Sequence, residues 1–217
     1  MLLNLSKKTL IALLTFFVLF LNSCLSLSMD IQMNKDGSGR LFMEYKISSA
    51  LINTGTLDGN EKYPVIPVGR LDWERTLARI NGAKLSSFSE NEKNGETIYK
   101  IAVDYDNPKA LLSVLNNRGN VSSNNFELII YGDNSPLNLS EYDKDLLSLA
   151  RGMLADNKFS ISFSSSSESA MTVKSGQKTF SPPASAKLIQ KGKKVSLSMN
   201  ITDLIEYSDG LIFKFDW

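Results

Sequence analysis

From Met29 the chain alternates. Met29, Ile31 and Met33 fall at every second position, with Asp30, Gln32 and Asn34 between them. Side chains two apart share one face of a strand, so this run reads as a strand with one buried and one wet face. Asn34-Lys35-Asp36-Gly37-Ser38-Gly39 is rich in turn formers, and Leu41, Met43, Tyr45 and Ile47 then resume the alternation. Together they predict a β-hairpin. The same period recurs at Tyr99, Ile101, Val103 and Tyr105, at Phe126, Leu128 and Ile130, and at Phe159, Ile161 and Phe163. It returns at Val195, Leu197, Met199 and Ile201, and again at Leu211, Phe213, Phe215 and Trp217.

Helical signals interrupt the strands. Trp73, Leu77 and Ile80 fall at i, i+4 and i+7, with Asp72 as a capping side chain and Gly82 to close the end. Lys84–Ser89 and Ile98–Tyr105 then form a second predicted hairpin about a polar turn ending at Gly95. Asp106-Asn107-Pro108 is a helix start, and that helix ends at the Asn116–Asn120 cluster. The longest predicted helix runs from Ser140 to about Asp156, with Tyr142, Leu146, Leu149 and Met153 in one stripe. Met171–Val173 and Lys178–Phe180 predict a small hairpin, and Asp209-Gly210 is a hairpin turn signal before the last strand. Residues 48–69, with Gly55, Gly59, Pro64, Pro67 and Gly69, read as an irregular excursion. The expectation is a single α+β domain over 29–217. Its sheet is largely antiparallel and hairpin-built, with two or three helices packed on one face.

Residues 1–23 read differently. Lys7 and Lys8 precede an uncharged apolar run from Leu10 to Leu21, the pattern of a secretory signal peptide. The run is shorter than the roughly 20 residues that span a bilayer. Leu21-Asn22-Ser23-Cys24 resembles the bacterial lipobox, which implies diacylation of the Cys24 thiol and cleavage just before it. Residues 24–28 are then a lipidated tether, and the protein meets the cell membrane or outer membrane through palmitate-like chains, on the extracytoplasmic side. One acyl chain anchors weakly, but each buried methylene adds roughly 0.8 kcal/mol, so two or three chains hold firmly.

Composition narrows the chemistry. Cleavage before Cys24 leaves 194 of the 217 residues, with 22 of the 24 basic residues against all 23 acidic ones. Neither a nucleic-acid footprint nor a polybasic membrane patch follows from that balance. Cys24 is the only cysteine and histidine is absent, which removes the commonest general base and zinc ligand. The chain is therefore expected not to be an enzyme and to need no cofactor or metal.

Other candidate chemistry has plainer readings. Asn34, Asp36 and Ser38 alternate as calcium ligands do, but the twelfth loop position holds Tyr45 instead of Glu. Ser164–Ser167 with Lys174 lacks the Ser-x-x-Lys helix start of a Ser–Lys pair, and reads as a solvated turn. Asp104 and Asp106 form a carboxylate pair in sequence, or a strand end and a helix cap. Tyr99, Tyr105, Tyr131, Tyr142, Trp73 and Trp217 either line an apolar groove or fill the core. Asn120-Val-Ser, Asn138-Leu-Ser and Asn200-Ile-Thr match glycosylation acceptors, a chance match in a bacterial lipoprotein.

The alternating strand and Gly-rich turn of Asp30–Tyr45, the segments after it, and the closing strand ending at Trp217 resemble the LppM-like lipoproteins of bacteria. The resemblance implies an envelope lipoprotein and transfers no catalytic residues. Many relatives continue into a C-terminal transmembrane helix, whereas this chain stops at Trp217. The relaxed lipobox and the Asn-, Lys- and Ser-rich composition also look like those of spirochaete lipoproteins. Two functions are expected to compete: an interaction module holding an envelope protein, or a tethered carrier or sensor of a lipid ligand.

Overall fold

The computed structural model describes residues 26–48, 69–130, 157–175, 178–205 and 211–217. The predicted first hairpin forms from β1 (Ser26–Met33) and β2 (Gly39–Ser48), with Met29 opposite Met43 and Ile31 opposite Leu41. The second joins β3 (Ala83–Lys93) to β4 (Glu96–Tyr105) through Asn94 and Gly95. Both turn residues have positive φ, 56° and 76°. This is the turn that matches strand twist in a two-residue hairpin, and Asn-Gly is its preferred pair.

Five more strands come from the expected alternations or hairpins: β5 (Asn125–Ile130), β6 (Lys158–Ser165), β7 (Ala170–Ser175), β8 (Lys178–Thr179) and, after Gly192, β10 (Lys194–Asn200). Between β8 and β10 lies β9 (Lys187–Lys191), which the sequence reading missed because all five of its residues are exposed. The chain ends in β11 (Leu211–Asp216).

These strands make two sheets. One has seven strands in the order β3-β4-β2-β1-β6-β10-β9, and the other four, in the order β5-β11-β7-β8. All neighbours run antiparallel except β1 and β6, which pair in parallel with Ile31 beside Phe163. The last strand does not return along β10: it enters the smaller sheet between β5 and β7.

The expected α+β fold with helices on one face of the sheet is therefore corrected. Strands hold 57% of the described residues and helices 14%. The helices are α1 (Arg70–Leu77), α2 (Pro108–Val114) and α3 (Ile201–Ile205). Asp72 sits inside α1 and accepts the Gly69 N–H at 3.3 Å, while Gly69 holds the cap position. Asn107 caps α2 as its side-chain oxygen accepts from Ala110 N at 3.0 Å, with Pro108 following. Among the described residues no helix is long and apolar enough to cross a membrane. The predicted helix at 140–156 and most of the 48–69 excursion lie outside the described residues.

What covers the large sheet on its inner face, around β1, β6 and β10, is the second sheet. Phe163 meets Phe126 edge-on at 5.7 Å between ring centres and Phe215 at 5.1 Å, and Phe159 meets Phe213 at 6.2 Å. All five rings are buried. At the β2–β4 side the inner face takes Trp73 and Leu77 of α1 and packs α2 against β3 and β4. Removing a buried ring leaves a cavity as well as losing its transfer energy. Phe163→Ala should destabilise the fold by about 3–5 kcal/mol. Exposed Thr172→Ala should change stability by no more than about 0.5 kcal/mol, both read by urea denaturation.

Candidate binding face

With one face of the seven-stranded sheet packed, the polar half of each alternation lies on the other. Register brings these side chains into rows. Ser87 lies beside Ala102, Ala102 beside Phe42, and Phe42 beside Asp30, which is followed by Ser162 and Ser196. The next row holds Ser89, Lys100, Glu44, Ser28, Ser160 and Ser198. An open groove of about 450 Å³ runs along these rows, lined in part by Ser28, Asp30, Phe42, Glu44, Ser87 and Lys100.

The groove carries both signs of charge. Lys100 Nζ lies 3.3 Å from Glu44, and Lys194 Nζ lies 3.6 Å from Asp30. Asp30 also accepts the Ser162 hydroxyl at 2.5 Å and the Gln32 amide at 3.3 Å. Phe42 breaks the polar row: it is 38% exposed, with the Arg40 guanidinium 5.9 Å from its ring centre. An exposed ring among satisfied ion pairs and hydroxyls is a recognition surface in chemical type, because it offers apolar area with donors and acceptors alongside. The signal was present in the sequence. Phe42 is an apolar residue at a polar-parity position between Leu41 and Met43.

The residues singled out from sequence are placed elsewhere. Cys24, Tyr131 and Tyr142 lie outside the described residues. Trp73, Tyr99 and Tyr105 are core residues, and Tyr105 also borders an open, mostly polar hollow with Arg40, Asp104 and Asp106. Tyr99 stacks on Tyr45 at 4.9 Å, Trp73 Nε1 donates to the Tyr45 hydroxyl at 3.4 Å, and Tyr105 donates to the Gln32 carbonyl at 2.8 Å. Burial pushes the Tyr99 hydroxyl up to about 12, with Glu90 adding to it, and burial raises Tyr105 further. Trp217 packs against the core, 6.0 Å from Phe126.

Asp36 spends its carboxylate on its own turn, accepting from Ser38 N at 3.0 Å and Ser38 Oγ at 2.6 Å. Among the described residues no group of three His, Cys, Asp or Glu is placed to hold a metal. Asp104 is an ion-pair partner of Arg40 at 2.5 Å, and Asp106 is exposed beyond the end of β4. The cap of α2 is Asn107 and not Asp106, which lines an open hollow together with Asp104.

The serine-rich turn is not simply solvated. Ser165 and Ser169 are buried, and Ser169 Oγ donates to Ser165 Oγ at 2.9 Å and to the Lys193 carbonyl at 3.0 Å. These bonds tie the β6–β7 turn to the β9–β10 turn. Lys174 sits in the other sheet, opposite Thr179 and Ile212.

No family model matches the chain, and no curated protein matches it. Among solved structures it is similar to the folded domain of the LppM protein of Mycobacterium tuberculosis, an NMR structure, at 10% identity and a TM-score of 0.38. The match covers 82% of this chain and 90% of that one. A likeness at that TM-score carries no argument about family or origin. No functional argument rests on a likeness of that size.

The Arg40 guanidinium, bonded to Asp104, holds that carboxyl below its ordinary value. A carboxyl with a lowered folded pKa adds stability above its unfolded pKa and loses it as pH falls through the folded value. Arg40→Gln should lower stability only slightly at pH 7, since both partners are more than a third exposed and solvent screens the pair. The deficit should narrow below about pH 4 when denaturation midpoints are compared across pH.

Proposed function

We propose that this chain is a bacterial lipoprotein, acylated at Cys24, whose extracytoplasmic domain holds an envelope protein on the outward face of its seven-stranded sheet. Lys7–Lys8, the apolar run and Leu21–Cys24 support the anchor, together with the uniqueness of the cysteine. The binding reading is carried by one observation: an open 450 Å³ groove with the Phe42 ring exposed among paired charges. Ligand pockets for apolar molecules bury most of the ligand surface. Here the described groove is open, and the space between the sheets is occupied by Phe126, Phe159, Phe163, Phe213 and Phe215. Both facts favour a protein partner over a carried lipid.

The anchor is tested by globomycin, which should accumulate unprocessed precursor, and by labelled fatty acid, which should enter the wild type and not Cys24→Ala. Failure of label to enter the wild type contradicts the anchor. A photo-crosslinking residue in place of Phe42 should capture a discrete protein band in the native envelope, and one in place of Thr172 should not. Lipid adducts alone at position 42 would support the carrier instead.

A further inference from the structure

We propose that the Ser26 end of the seven-stranded sheet seats on anionic phospholipid headgroups through Lys46 and Lys158. The inference rests on the acylation of Cys24 proposed above and adds what the domain does at the membrane. β1 begins at Ser26, two residues after Cys24. Two residues reach at most about 7 Å, so an acylated Cys24 holds Ser26 within one chain-length of the lipid surface. That reach is no longer than the Debye length of about 8 Å at physiological salt, so charges beside Ser26 feel the field of the membrane.

The charges beside Ser26 are cations. Lys46 is its cross-strand partner on β2, and Lys158 opens β6, its backbone N–H donating to Ser26 Oγ at 3.3 Å. They come from distant parts of the chain, which is why the near-neutral composition gives no sign of them. A hollow of about 290 Å³ lies between them, lined also by Ser28, Glu44 and Ser160. Glu44, the carboxylate of this hollow, is engaged by Lys100 at 3.3 Å. Among the described residues neither Lys46 nor Lys158 has an ion-pair partner. Two ammonium groups and three serine hydroxyls around one hollow suit a phosphate, which takes point charges and hydroxyl donors together. The hollow shares Ser28 and Glu44 with the larger groove, so seating this end stands the groove next to the membrane and leaves its upper part open.

The test uses the full lipoprotein, purified from membranes and reconstituted into phosphatidylcholine vesicles with or without phosphatidylglycerol. Lysines are labelled with a water-soluble amine-reactive ester and read by mass spectrometry, with Lys35 and Lys191 as references. Lys46 and Lys158 should be protected about threefold or more in the anionic vesicles alone, and high salt should abolish the protection. Equal reactivity in both vesicles, or equal protection in both, overturns headgroup seating. The Cys24 peptide in the same digest reports the premise. An acylated peptide with unprotected lysines overturns the seating alone, whereas an unacylated one overturns the lipoprotein reading and the seating with it.

Discussion

β1 occupies the middle of the seven-stranded sheet, and every other feature depends on its two-residue period. Its inward residues Met29, Ile31 and Met33 enter the core, and its outward residues Ser28, Asp30 and Gln32 meet solvent. A shift of one residue would turn the core set to water. The strand is held against that shift on both sides, by β2 through a short hairpin and by β6 through a parallel pairing formed far along the chain. Because β1 also begins two residues after Cys24, the strand that sets the core is the one that would carry an anchor.

The second sheet decides which face is left for binding. Rings from β5, β6 and β11 meet between the sheets, and aromatic pairs of this kind add roughly 0.5–1.5 kcal/mol each beyond the area they bury. The inner face is thereby committed to packing. The outer face keeps small hydroxyls on β6 and β10, charges on β1, β2 and β4, and one exposed ring at Phe42. The groove itself lies over β1 to β4, where the small side chains of Ser28, Ser87 and Ser89 stand among its larger lining residues.

Local structure was readable from residue pattern. The Met29–Ile47 and Lys84–Tyr105 hairpins, the Asn107-Pro108 helix start and the closing strand follow from alternation and turn chemistry that act over a few residues. Pairings between distant strands were not readable. Val195–Met199 and Leu211–Phe215 alternate alike, so parity cannot say that one joins the large sheet and the other the small one. Nor can it show β6 lying parallel to β1. The α+β expectation failed because the signals at 71–82 and 106–115 produce only short helices, while a second sheet supplies the cover. Ser165, read with Ser164–Ser167 as solvated, misled for another reason: serine is as well suited to a buried bond, here with Ser169, as to water, and only the fold shows which.

We propose that β1 rises from the membrane with the groove beside it. With Cys24 taken by acyl chains, a cysteine introduced at Ser38 or at Ser160 would carry the sole nitroxide. Ser160 lies beside Ser28 and Ser38 is bonded to Asn34, so the two sites are about 20 Å apart along β1 by its rise per residue. In vesicles bearing a paramagnetic chelate on the lipid headgroup, the account predicts strong relaxation of the label at Ser160 and little at Ser38. Equal relaxation at both sites would mean that the domain lies on its face, and would contradict it.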